Sequence, residues 1–144
     1  MKVVVQRVLE SSVKVEGKIV GKIDNGYMLL VSFTYGDNIE KIDYMIKKIL
    51  NLRIFDDDNG IMNKSILDVQ GSVLSISQFT LYADTSKGNR PSYIKALKSE
   101  DAKTLYDNFN NRLSKFIKVE TGVFGGDMKV SLVNDGPVTI IIEK

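Results

Sequence analysis

Ser77-Gln78-Phe79-Thr80-Leu81 gathers two hydroxyls and a carboxamide where the apolar run Val73-Leu74-Ser75-Ile76 gives out. Side chains at a strand end are held by a rigid element yet reach solvent, a common place for functional groups. Taken alone, the segment reads first as a polar strand end whose Ser and Thr satisfy nearby backbone groups. Asn134-Asp135-Gly136-Pro137-Val138-Thr139 is the second unusual stretch. It lies between two strand-like runs, Met128 to Val133 and Val138 to Glu143, and holds one of only 2 prolines. Proline donates no backbone hydrogen bond and is normally kept out of sheet interiors. Local pattern reads this stretch as a hairpin turn, since Asn-Asp-Gly is ordinary turn chemistry. The sharper reading is a Gly-Pro backbone whose carbonyls carry a function.

A third stretch, Thr121-Gly122-Val123-Phe124-Gly125-Gly126-Asp127-Met128, combines adjacent glycines with Phe124 and Met128, which could flank a flat ring. It is neither a P-loop nor a dinucleotide fingerprint, and beside a bulge the two side chains could equally be core. Asp84-Thr85-Ser86-Lys87-Gly88-Asn89-Arg90-Pro91 is a polar loop with two cations. It reads as a solvated turn or as a phosphate-contacting loop. The chain has no His and no Cys. That excludes a His-based triad, a cysteine nucleophile, a disulfide and the usual zinc sites. The acidic run Asp56-Asp57-Asp58-Asn59-Gly60 lacks the downstream glutamate of a calcium loop and reads as a solvated turn.

The elements that must hold these groups are strand-rich at first and mixed afterwards. Lys2 to Val8 is apolar and β-branched, and Val13, Val15, Ile19 and Ile23 continue a β pattern around Gly17 and Gly21. Asn25-Gly26 is a hairpin signal, followed by a nearly continuous apolar run from Tyr27 to Phe33 that predicts a buried strand. Asp37 with Glu40 resembles a helix-start box, and Ile39, Ile42, Met45, Ile46, Ile49 and Leu50 fall at helical spacing. A short strand pair is expected around Asp58-Asn59-Gly60, and a strand from Val73 to Phe79. Ser99 is a candidate cap for a second helix. Its apolar stripe is Ala102, Leu105, Tyr106, Phe109, Leu113, Phe116 and Ile117, with Arg112, Lys115 and Lys118 near its end. These elements predict one α+β domain over residues 1–144. Its strands are mostly antiparallel, in two sheets or a distorted barrel, covered by two main helices.

A length of 144 residues allows one ordinary core, and 43% hydrophobic with 26% charged residues suits a soluble globular chain. No signal peptide or membrane span is expected, and a cytosolic location fits the absence of cysteine. The net charge of +2 is weak for a protein that coats long nucleic acid, though a small contact with an RNA end remains open.

Together the segments resemble the D-aminoacyl-tRNA deacylase (D-tyrosyl-tRNA deacylase) family. The resemblance rests on Gln6-Arg7-Val8, Ser77 to Leu81, Lys87-Gly88-Asn89-Arg90-Pro91-Ser92, Thr121 to Met128 and Asn134 to Thr139. Their order and spacing match over essentially the whole chain. Two places depart from the family pattern: Leu30 to Gly36, where members often end the strand in Leu-Leu-Gly, and Tyr93, where Phe is common.

The resemblance implies hydrolysis of the ester joining a D-amino acid to the terminal ribose of tRNA, with possible action on glycyl-tRNA. It implies a homodimer with the site at the subunit interface. Ser77, Gln78, Phe79 and Thr80 would line the site on one subunit, and Gly136 and Pro137, joined by a cis peptide, would enter from the other. Phe124 and Met128 would hold the terminal adenine. Arg7 would brace the Gly136-Pro137 loop, or else be a surface strand residue. Lys87 and Arg90 would touch phosphates. The implied partners are the acceptor 3′ end of aminoacyl-tRNA and a second copy, with no cofactor, metal, DNA or membrane. Main-chain N–H groups around Phe79 and Thr80 would stabilise the oxyanion while water attacks. The alternative nucleophile is the Thr80 hydroxyl. Rival functions are a non-catalytic dimeric module that binds an RNA end or small ligand, and a general esterase.

Overall fold

A computed structural model describes all of residues 1–144. Its frame is the long strand β1 (Lys2–Val15), which pairs antiparallel with β2 (Lys18–Ile23) and β3 (Gly26–Ser32). The register runs on unshifted from Ser11↔Ile23 to Val8↔Gly26, so β2 and β3 are two halves of one returning strand. The hairpin turn is therefore at Glu16-Gly17, where both residues have positive φ, and not at Asn25-Gly26. Gly26 serves a different need. A Cβ there would lie 1.9 Å from the carbonyl oxygen of Ser72, so only glycine lets the start of the next strand come alongside.

That next strand is β6 (Ser72–Ser77), which lies parallel to β3 and in turn parallel to β7 (Val119–Thr121). The large sheet is thus mixed, with its antiparallel pairs gathered on β1. It curls so far that a Cβ on Gly21 of β2 would meet the Thr121 carbonyl at 2.8 Å. Between β3 and β6 the chain forms α1 (Ile39–Asn51) and a small separate pair, β4 (Phe55–Asp56) with β5 (Met62–Lys64). The turn between those two strands is organised by the Asp57 carboxylate, which accepts from the N–H groups of Asn59 and Ile61. The second helix, α2 (Ser99–Leu113), precedes β7, and β8 (Lys129–Glu143) closes the chain.

The apolar run Tyr27 to Phe33 is continuous because both faces of β3 are covered. Tyr27, Leu29 and Val31 join Val3, Val5, Ile42, Met45, Ile49, Phe109 and Leu113 in the main core. Met28 faces the other way, into a smaller cluster with Val8, Val13, Ile23, Leu74 and Ile76. Helix α1 buries the periodic residues Ile42, Met45, Ile46, Ile49 and Leu50. Its cap is Asn38, whose side chain accepts from the Lys41 N–H, rather than Asp37. The Asp37 side chain is instead wholly buried, bonded to the Thr34 N–H and paired with the N-terminal ammonium at 2.7 Å. Helix α2 starts one residue before expectation, with Lys98 as cap and Ser99 already helical. It stops at Leu113, so Lys115 and Lys118 lie beyond it and Phe116 is largely exposed.

Gly26→Ala should be far more damaging than Gly60→Ala. The first adds a Cβ against fixed backbone and should cost more than about 3 kcal/mol in urea unfolding. The second meets open space at φ +74 and should cost only about 1–2 kcal/mol.

Candidate active site

Strand β6 ends at Ser77, and the Gln78 N–H extends its ladder by one bond, to the Val31 carbonyl at 2.8 Å. The chain then tightens into a 3-10 turn, Phe79–Tyr82, with Leu81 N–H bonded to the Gln78 carbonyl and Ala83 N–H to the Thr80 carbonyl. As first residues of a turn, Phe79 and Thr80 have N–H groups with no acceptor inside it. The Gln78 carboxamide donates to the Thr80 hydroxyl oxygen through a short contact. A carboxamide has no basic atom, so this partner orients the hydroxyl without deprotonating it.

Beside this corner is a cavity of about 490 Å3. It is bounded by the ends of β3 and β6, by one side of α2 and by the segment leading into β8. Ser77, Gln78, Phe79, Phe124 and Met128 all line it. Met128 reaches its position because residue 122 is glycine: a Cβ there would lie 2.4 Å from the Met128 sulfur. Phe124 leans on the ring of Tyr106 at 5.7 Å between centroids. The Tyr106 hydroxyl donates to the Ser75 carbonyl at 2.8 Å. Burial raises the Tyr106 pKa, so the phenol stays neutral and fixes the wall. Ser32, Ala102 and Tyr106 also line the cavity, and sequence reasoning did not mark them as site residues. The signal available was a hydroxyl-bearing tyrosine on an otherwise apolar helical stripe, since a buried Tyr needs a partner for its O–H.

Arg7, Gly136 and Pro137 do not line this cavity; they meet elsewhere. Strand β8 pairs with β1 from Lys2↔Glu143 to Gln6↔Thr139, and again from Val8↔Asn134 to Lys14↔Lys129. Between the two blocks, Asp135 to Val138 stand opposite Arg7 alone. The expected hairpin turn is therefore a bulge in one continuous 15-residue strand. Asn134 closes its neck, donating from its amide to the carbonyls of Arg7 and Val138 at 2.9 and 3.0 Å.

The Arg7 side chain lies beneath the bulge and is only 7% exposed. It donates to the Ile54 carbonyl at 2.6 Å and to the Asp135 carbonyl at 3.3 Å. It also pairs with the carboxylates of Asp135 at 3.0 Å and Asp56 at 3.5 Å. Arg7 is thus no surface strand residue. The Gly136-Pro137 peptide is cis, both residues are exposed, and Gly136 has φ +114.

Lys87 and Arg90 are exposed on a loop closed by reciprocal bonds between Asp84 and Ser92 at 2.8 and 2.9 Å. Ser86 donates its hydroxyl and N–H to the Asp84 carboxylate, and these bonds with Lys95 lower its pKa to about 2. The carboxylate is therefore ionised, and the loop held, throughout the physiological pH range.

The family model described as D-Tyr-tRNA(Tyr) deacylase matches residues 4–143. A solved structure named c-Myc DNA Unwinding Element Binding Protein superposes with a TM-score of 0.95 at 40% identity, over 100% of this chain and 99% of that one. A structure described as a probable eukaryotic D-amino acid tRNA deacylase superposes with a TM-score of 0.82, over 98% of this chain and 97% of that one. At 18% identity this second likeness shows the fold alone.

Replacing Arg7 by Met should destabilise the protein by about 2–3 kcal/mol, chiefly because the buried Ile54 carbonyl loses its donor. Asp56 and Asp135 are partly solvated and should add little. Thermal unfolding measures the loss, and an unchanged midpoint would remove Arg7 as the brace of the bulge.

Proposed function

The chain belongs to the D-Tyr-tRNA(Tyr) deacylase family, and we propose on that premise that it hydrolyses the ester of D-aminoacyl-tRNA, releasing free D-amino acid and tRNA. The observation that carries the reading is the pairing of two separate parts. One is the cavity beside Ser77, Gln78 and Phe79, and the other is a braced, exposed Gly136-Pro137 loop that does not line this cavity in its own chain.

The two parts complement each other if a second copy supplies the loop. Strand β8 pairs only with β1, which leaves one edge of 15 residues free, with Val133 and Ile141 exposed. Long apolar edges are exposed to pairing with another chain, and a second copy is the natural cover. In such a dimer the partner subunit's loop lies against the aminoacyl group held in this cavity. Its backbone carbonyls read where a side chain sits, not what it is. An L side chain meets them, a D side chain clears them, and glycine has nothing to reject.

The terminal adenine lies between Phe124 and Met128, and the ester carbonyl points at the free N–H groups of Phe79 and Thr80. These donors need no proton transfer and suit a developing oxyanion. Water is the nucleophile. The Thr80 hydroxyl is a poor candidate because its near partner is the Gln78 carboxamide, which is not a base. Lys87 and Arg90 meet phosphates of the acceptor end, which makes binding salt-sensitive.

The second reading is a non-catalytic nucleic-acid-binding module, favoured by the name of the 40% identical structure. The Ser77 to Thr80 corner beside an open cavity supports catalysis instead. Incubation with D-Tyr-tRNA and L-Tyr-tRNA separates the readings, with release of D-tyrosine alone expected. Release from neither sinks the deacylase reading, and equal release from both sinks the chirality argument. In the same assay Thr80→Val should retain turnover within about tenfold. A loss near 10⁴-fold would establish the covalent route.

A further inference from the structure

The cavity has a rim that the reading above does not use. Phe79 lines the cavity, yet its residue is 56% exposed, and its ring meets that of Tyr93 edge to face with centroids 5.1 Å apart. Tyr93 is 41% exposed and the adjacent Ile94 is 78% exposed. Large apolar side chains are rarely left in water in a group without a use. An edge-to-face contact covers one ring face, so the pair leaves flat aromatic surface open at the mouth of the cavity.

This rim is fixed in place. The Thr34 hydroxyl donates to the Lys95 carbonyl at 2.6 Å, and the Leu97 N–H bonds to the Phe33 carbonyl at 3.0 Å. Those bonds tie the segment to the end of β3. On its other side Tyr93 follows directly on Ser92, which closes the loop carrying Lys87 and Arg90. Lys95 is engaged with Asp84, whereas Lys87 and Arg90 form no salt bridge. A rigid aromatic face beside unpaired cations is the combination that binds single-stranded nucleic acid: bases stack on the ring and phosphates meet the charges.

We propose that the Phe79–Tyr93 pair is a stacking platform for the nucleotide that precedes the terminal adenosine of the RNA 3′ end, with Lys87 and Arg90 taking its flanking phosphates. This rests on the deacylase reading, in which the terminal adenosine fills the cavity. A chain leaving that cavity at its mouth crosses the Phe79 and Tyr93 rings. Tyr93 then acts as a positioning residue: it holds the strand and touches no reacting atom. Stacking is indifferent to base identity, so the platform serves any tRNA.

The test compares two D-tyrosyl esters, one on full tRNA and one on adenosine alone, which lacks the preceding nucleotide. Tyr93→Leu keeps an apolar side chain but removes the ring. It should raise KM for D-Tyr-tRNA about tenfold with kcat unchanged, and leave D-tyrosyl-adenosine within about twofold. Tyr93→Phe keeps the ring and should behave as wild type on both. Equal losses on the two esters, or no loss on tRNA, would overturn the platform. So would a change in oligomeric state on Tyr93→Leu, which would make the rim a subunit contact. If the wild-type protein cleaves neither ester, the deacylase reading fails and the platform fails with it. Cleavage of both, unaltered by Tyr93→Leu, removes the platform alone.

Discussion

Four residues of β8 stand opposite one residue of β1, and the guanidinium of Arg7 occupies the space beneath them. Most of what distinguishes this fold follows from that mismatch. The ladder resumes on both sides, so β8 remains one strand and keeps one edge free. The extra residues cannot pair and are pushed outward, where Asn134 closes their neck and Arg7 fixes their base. A planar cation with donors in several directions can serve a carbonyl of another element, a carbonyl of the bulge and two carboxylates at once. Gly136 is fitted to the same contact: a Cβ there would sit 3.1 Å from the Arg7 guanidinium nitrogen and 2.8 Å from a Val138 methyl group.

The cavity is built by different means. It lies where two parallel strands, β3 and β6, end together, a place where backbone groups run out of partners and helices cover the sheet from one side. A 3-10 turn then begins at Phe79, which lines the space together with Tyr106, Phe124 and Met128. Nothing in one chain brings the bulge to this cavity. In the proposed dimer, a second copy added along the free edge of β8 would carry its bulge to the first copy's cavity and receive the same in return.

The sequence made the helices legible through their periodicity, and made β3 legible because both of its faces are buried. Local turn chemistry alone misleads at Asn25-Gly26 and at Asn134 to Thr139 for one shared reason, although the cis Gly136-Pro137 bond was expected from the resemblance. Each has the local chemistry of a turn, yet each lies within a strand whose direction is set by β1, a partner many residues away. Gly26 answers to the approach of Ser72, and Gly136 to Arg7, and neither neighbour is visible in a local window. The caps of both helices slipped by a residue because a competing partner, the N-terminal ammonium, drew Asp37 away, and because Lys98 caps without a side-chain bond. At the site, Ser77, Gln78, Phe79, Phe124 and Met128 line one cavity, and Thr80 does not line it. Tyr106 was hidden in a core stripe, and Arg7, open in the sequence between a brace and a surface residue, is fixed as the brace by its buried contacts.

In the proposed dimer the Gly136-Pro137 loop of one subunit governs the cavity of the other. Mixed dimers test it directly. One chain carries Phe79→Pro, which removes an oxyanion N–H donor and so disables its cavity, and the other carries Gly136→Ala, whose added Cβ displaces its loop and lets L-Tyr-tRNA be cleaved. The only working cavity then belongs to the second chain, and the intact loop belongs to the first. If the loop acts across the interface, the purified mixed dimer rejects L-Tyr-tRNA as wild type does while still cleaving D-Tyr-tRNA. Cleavage of L-Tyr-tRNA as fast per working cavity as in the Gly136→Ala homodimer would place the loop's action within its own chain and contradict the account.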